Sequence, residues 1–246
     1  METPAWRSGL RAVLAGLTAA LLASACATPY DPFRIPAPEL RGRVRTIALT
    51  PLRVSPDVAD PVLARQKLEP LVAAKLAAGG FEVVAADEVD RLWRSAAADV
   101  GDLFDPVSGE VDEERYEAVE ASVYHELRAG HGVDAVLRMR IETVELYLSH
   151  ATATFCGTTD QVYWPGETLG LFEVATLVLA SCFSTVLFDM EERELYGIRS
   201  GLETIETYAR QTRAERPLEQ RLNDPARLQQ AVDNTLGPLA GGAAER

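Results

Sequence analysis

"FEVATLVLASCFSTVLFD" (residues 172–189) is the stretch whose reading decides the fold. Glu173 and Asp189 bracket 15 uncharged residues rich in Val, Thr and Leu. A helix that spans a bilayer needs about 20 apolar residues. The run is short for that, and it suits a buried strand better. "EERELYGIRSGL" (191–202) then reads as a turn and a partner strand. Upstream, "DAVLRMRIETVELYL" (134–148) reads as a long strand. Its alternation puts Ala135, Leu137, Met139 and Ile141 on one face, and Arg138, Arg140 and Glu142 on the other. A second face that polar implies water or a partner against it.

Working outward, "VRTIALTPL" (44–52) is a β-rich run ended by Pro51. Asp60-Pro61 is a helix start, a capping side chain followed by Pro in the first turn. Leu68, Leu71, Val72 and Leu76 recur at helical spacing, with a kink or restart expected at Pro70 and a stop at Gly79-Gly80. "FEVVAA" (81–86) is another strand, and 87–98 a short helix around Val89, Leu92 and the core residue Trp93. Asp105-Pro106 and Ser108-Gly109 make a turn. Asp112 caps a helix with Tyr116, Val119, Val123 and Leu127 on one face, ended by Gly130 or Gly132. Asp224-Pro225 opens a last helix, closed by Gly237-Pro238, with residues 239–246 a disordered tail. The expected class is α/β (α+β): a mixed β-sheet flanked by helices, with an added long β-hairpin.

The first 25 residues read as an export signal. Arg7 and Arg11 precede an uncharged, mostly apolar run from Ala12 to Ala25 that ends in small residues. Leu22-Ala23-Ser24-Ala25-Cys26 resembles the lipobox of bacterial lipoproteins. That resemblance implies lipid on Cys26, and Ala27, where inner-membrane lipoproteins often carry Asp, implies the outer membrane. The alternative is ordinary cleavage near Ala25. Pro29, Pro32, Pro36 and Pro38 favour extended backbone, so 26–43 is expected to be a tether and 44–238 the folded periplasmic domain.

Lys and Arg number 24 against 37 Asp and Glu, a formal charge of −13. Such a balance argues against non-specific binding to nucleic acid or to an anionic membrane surface. With Cys26 carrying lipid, Cys156 and Cys182 remain, both in expected strands. In an exported protein they can pair and staple two strands; the alternative is two buried thiols.

Little in the sequence points to chemistry. "HELRAGH" (125–131) has Ala129 where an H-E-x-x-H zinc motif needs His. His125 and His131 lie about 240° apart round a helix. "DPVSGEVDEE" (105–114) lacks the alternating ligands and sixth-position Gly of a calcium loop. His150 stands alone between expected strands. No catalytic, metal or cofactor-binding residue is assigned, and no cofactor is expected. "TDQVYWPGETLGLF" (159–172) is the better candidate: Tyr163, Trp164, Pro165 and Phe172 form an aromatic loop. Such a loop anchors a partner or a membrane surface, or else folds back onto the core.

"RTIALTPL", "LAAGGFEVV", "HGVDAVLRMRIE" and "LFDMEERELYG", in that order, resemble a group of envelope lipoprotein domains. The group includes the TolB amino-terminal domain, the LpoB-type synthase activators, the curli secretion protein CsgG and the GNA-type lipoproteins. Asp189 and Tyr196 fill the family's strand–Asp–turn–aromatic places, and the likeness covers about residues 44–238. It implies a TolB-like sandwich in a non-enzymatic outer-membrane lipoprotein that binds another envelope protein. The alternative it implies is a CsgG-like oligomeric secretion subunit, with segments near 141–156 and 172–190 as membrane hairpins. A hydrolase would need a convergent acid–base cluster.

Overall fold

The fold is described from a computed structural model over residues 30–55, 57–105, 108–147, 152–163, 177–209 and 212–241. The apolar run of the opening stretch is a strand, β7 (Leu177–Asp189). It runs antiparallel to β4 (Ala135–Leu146), with Ala135 opposite Asp189 and Leu146 opposite Val178. On its other side lies β8 (Glu194–Ala209), so β7 is hydrogen-bonded along both edges. Residues 172–176 lie outside the described residues.

β1 (Thr46–Leu49) and β3 (Glu82–Val84) join parallel to β4, and β9 (Thr212–Glu215) extends β8. The order is β3-β1-β4-β7-β8-β9, with the two-residue β2 (Arg53–Val54) also beside β4. Alternation then sorts the side chains. Ile47, Leu137, Met139, Phe183 and Leu187 face one core with α2 (Pro61–Ala78) and α5 (Pro225–Ala240). Ala48 and Val136 face α3 (Ala86–Val100) and α4 (Glu113–His131) on the opposite side. Helices on both faces of a mixed sheet make this an α/β fold.

Helix ends follow the capping chemistry read from the sequence. Asp60, Asp112 and Asp224 each accept backbone N–H groups at the starts of α2, α4 and α5. Gly132, at φ +63°, closes α4, which decides between the two glycines. Pro70 does not divide α2. It and Gln66, whose carbonyl loses its partner, are both exposed, while Ala64, Leu68, Val72 and Leu76 anchor both sides.

Three expectations differ from what is seen. Residues 32–43 are not extended throughout: α1 (Ala37–Arg43) starts after Pro36 and buries Leu40 completely. Pro in the first turn of a helix loses no hydrogen bond, so Pro38 is compatible with it. Phe33 stacks edge-on against Tyr196 at 5.0 Å. The last helix passes through Gly237-Pro238 to Ala240, because Leu239 is fully buried and Arg41 donates to the Leu239 and Gly241 carbonyls. Residues 242–246 lie outside the described residues. Finally, Cys156 sits in a turn, not a strand.

That turn belongs to a small hairpin, β5 (Thr152–Phe155) and β6 (Thr158–Gln161). Cys156 and Gly157 have φ of +46° and +74°, the signs a type I′ turn requires. The hairpin lies across β7 and β8 on the α3/α4 side. A Cβ on Gly201 would stand 2.7 Å from Phe155 Cε2, so only Gly allows this approach. A disulfide joins Cys156 to Cys182 on β7, Cα atoms 6.3 Å apart.

Parts of the outer edge of β8 are covered. Arg34 N–H and Gly197 N–H bond Leu195 and Pro32 carbonyls, Arg216 covers Thr204 and Ile205, and β9 pairs with residues 206–209. Covered stretches of an edge are closed to pairing with other chains.

The β7–β8 turn depends on Asp189. Its Oδ1 accepts N–H groups of Glu191 (3.0 Å) and Arg193 (2.9 Å), and its Oδ2 accepts Arg193 Nε (2.6 Å). Burial pushes this carboxyl up, but the Arg193 and Glu191 hydrogen bonds outweigh that and leave it below its ordinary value. A depressed folded pKa adds stability above the unfolded value of about 3.9, lost as pH falls through the folded value. Asp189→Asn should therefore cost about 1–3 kcal/mol at neutral pH in urea unfolding. The gap to the unmodified protein should close below about pH 4; a gap independent of pH would show that the charge is immaterial.

Candidate functional site

β4 and β7 are longer than their cover. α3 and α4 shield the end of the sheet around Val136. The β5–β6 hairpin shields the other end, over Val144, Val178, Ala180 and Cys182. Between them a groove of about 680 Å³ is left open. Its floor includes Arg138, Arg140 and Glu142 of β4 and Ser184, Val186 and Phe188 of β7. Trp93 of α3 and Tyr124 of α4 form a wall, and Arg53 and Arg65 stand at the β2 margin. The polar face of 134–148 thus does not lie against a core.

Arg138 is fully engaged. It donates to the Tyr124 hydroxyl (2.9 Å) and to Glu192 (2.7 Å), and its guanidinium lies 4.7 Å from the centre of the Phe188 ring. Burial raises the Tyr124 phenol above its ordinary pKa, although Arg138 pulls the other way. That phenol stays protonated at neutral pH.

The next row of the sheet is different. Arg53 on β2 is the register partner of Arg140 on β4, Arg140 of Ser184 on β7, and Ser184 of Arg199 on β8. Three arginines thus lie in one line across four strands, on one face, at a strand spacing of about 4.8 Å. Arg53 and Arg199 are exposed, and their side chains make no ion pair or hydrogen bond among the described residues. Arg140 reaches only Glu142, at 3.8 Å. Arg65 spends its Nε on the Leu52 carbonyl (3.1 Å) and carries no ion pair. Like charges directly opposite in a sheet destabilise it. In a chain with 37 acidic residues this row holds only the one loose Arg140–Glu142 ion pair.

A second polar cluster is spent internally. Arg221, 2% exposed, donates to the carbonyls of Asp57, Val58 and Arg216 and to Glu215. Asp160 of the hairpin accepts from Arg227 (2.6 Å) and from Thr204 N–H (3.3 Å). Glu203 accepts Leu222 N–H (2.7 Å) with Arg216 at 3.6 Å; burial, opposed by that hydrogen bond and nearby arginines, raises its pKa. These groups clasp the hairpin, β8 and the start of α5 together. That is a structural role for Glu203, not an acid–base pair open to a substrate.

Other singled-out residues fall as follows. Tyr163 is half-buried, its backbone bonded to Thr204 and Thr207 and its ring 4.5 Å from the Arg216 guanidinium. It folds back onto the sheet. Trp164, Phe172, His150 and Cys26 lie outside the described residues. His125 is exposed, and His131 is 3.4 Å from Glu88 at the end of α4. Among the described residues no cluster of three or more His, Cys, Asp or Glu could hold a metal, and no helix is long and apolar enough to cross a membrane. Arg53 and Arg199 escaped the sequence reading, because nothing in a single sequence states which residues of separate strands stand opposite each other.

No family model matches the chain, and no curated protein does. Among solved structures it is similar to the PelC dodecamer from Paraburkholderia phytofirmans, at 13% identity over 81% of this chain and 91% of that one, TM-score 0.33. The L103M dodecamer of the same protein gives 12% identity over 80% and 90%, TM-score 0.33. A neuraminyllactose-binding hemagglutinin homolog from Helicobacter pylori gives 10% identity over 89% and 90%, TM-score 0.35. At these scores the likenesses carry no argument about fold or function.

The arginine row makes a prediction about stability. Arg140→Gln removes a like-charge neighbour and should stabilise the fold by about 0.2–1 kcal/mol in urea unfolding, as should Arg53→Gln. Both act on one repulsion, so the double variant should gain less than the sum of the two. Destabilisation by either change would show that the two charges do not repel.

Proposed function

We propose that this chain is a non-enzymatic, lipid-anchored accessory protein of the bacterial outer membrane, facing the periplasm, whose α/β domain binds another envelope protein. One observation carries the reading: the middle of the sheet face is left open between α3/α4 and the β5–β6 hairpin, and Arg140 on its floor has only a loose 3.8 Å ion pair with Glu142. A face kept open at a cost in stability is typical of a functional surface. The export-like leader and the lipobox-like Leu22–Cys26 supply the address. The partly polar, partly aromatic lining suits macromolecular recognition, where buried aromatics and Arg carry much of the affinity.

The secretion-subunit alternative asks for a membrane hairpin near 172–190. Here residues 177–189 are the sheet's inner strand, paired along both edges. Nothing in that arrangement favours the alternative.

Two measurements test the proposal. Cys26→Ser should release the full-length protein from washed membranes into the soluble periplasmic fraction; retention would contradict a lipid anchor. A photo-crosslinking residue at Ser184 should trap one discrete protein adduct in intact cells, and the adduct should vanish when Val186→Trp fills the groove. The same residue at Glu117, exposed on α4, should trap none. No adduct at Ser184, or the same adduct at both positions, would overturn the reading.

A further inference from the structure

We infer that the occupant of the groove is an acidic, amphipathic polypeptide segment whose carboxylates sit on Arg53 and Arg140; this rests on the groove being the partner site. The groove is two-sided in its chemistry. Toward α3 and α4 Trp93, Val186 and Phe188 give it an apolar and aromatic surface, and the acidic residues there, Asp90 and Glu120, are ion-paired to Arg94 and Arg138. Toward the β2 margin it is cationic, with Arg53, Arg65 and Arg140, opposed by Glu142 alone at 3.8 Å.

Planar guanidinium groups without internal partners are suited to carboxylates, which they bind through paired N–H donors. Glu142, the one acidic side chain in reach of Arg140, makes a loose contact that a closer carboxylate can replace. Successive register partners place Arg140 about 5 Å from Arg53. Side chains on one face of an extended peptide recur about every 7 Å, within reach of long, flexible arginines. The aromatic half decides between peptide and acidic polysaccharide. A uniformly hydrophilic chain would leave Trp93, Val186 and Phe188 without apolar contact, whereas a segment mixing carboxylates with apolar or aromatic residues covers both halves.

The overall charge of −13 sharpens the inference. A protein this acidic repels polyanions at long range, so one that binds must do so through a local cationic site.

The test uses the full chain, extracted in detergent, and a fluorescein-labelled random copolymer of Glu and Tyr as the probe, followed by anisotropy at low salt. The copolymer should bind, and Arg53→Gln with Arg140→Gln should weaken it about tenfold or more. Adding 0.5 M salt should weaken it comparably. Arg91→Gln, on the exposed side of α3, should leave binding unchanged. Unfolding midpoints equal to or above that of the unmodified protein keep a loss of binding from being a loss of fold. Absence of copolymer binding, or equal binding by the Arg53/Arg140 variant, overturns the inference. Polygalacturonate that binds as tightly as the copolymer, and is lost in the same variant, overturns it in favour of an acidic polysaccharide. The Ser184 crosslink separates this failure from that of the partner reading. An adduct that persists in the Arg53/Arg140 variant but vanishes with Val186→Trp leaves the groove as the partner site and removes the acidic segment.

Discussion

Everything in this molecule depends on the antiparallel register between β4 and β7. Twelve consecutive residues of β4 stand opposite twelve of β7, and each pair commits two side chains to the same face. A slip by one residue would exchange Leu137, Met139 and Ile141 with Arg138 and Arg140, turning the main core polar. The other neighbours of β7 are fixed in turn: Asp189 at one end sets the turn into β8, and the Cys156–Cys182 link ties the hairpin to one place on β7. The open groove is a product of the same pairing, since it assembles Arg140 and Ser184 from strands far apart in sequence.

The fold was largely legible because its decisive segments are long and patterned. The uncharged stretch before Asp189 had too few residues for a bilayer and too many β-branched ones for an ordinary helix. The alternation in 134–148 named both faces of β4 directly. Capping residues at Asp60, Asp112 and Asp224 marked helix starts because side-chain capping is a local interaction. What misled was equally local. The prolines at 36 and 38 read as breakers, but at a helix start a missing N–H costs nothing. Gly237-Pro238 read as a stop, but burial of Leu239 and the Arg41 contacts outweigh it.

The candidate site was half legible. A polar strand face signalled an uncovered surface, and Arg138 and Arg140 were visible as members of it. Their different fates were not. Arg138 finds Tyr124, Glu192 and the Phe188 ring, whereas Arg140 finds another arginine at its side. Only register and the placement of helices distinguish a satisfied charge from an unsatisfied one. Physically, that is the difference between a residue that stabilises a fold and one kept despite weakening it.

The two ends of the fold meet at Arg41, whose guanidinium closes on carbonyls 198 and 200 residues further along the chain. An interaction of such high contact order cannot form until almost the whole domain has been synthesised. α1 therefore has nothing to dock against while the chain is growing, and the N-terminal segment stays unlocked to the last.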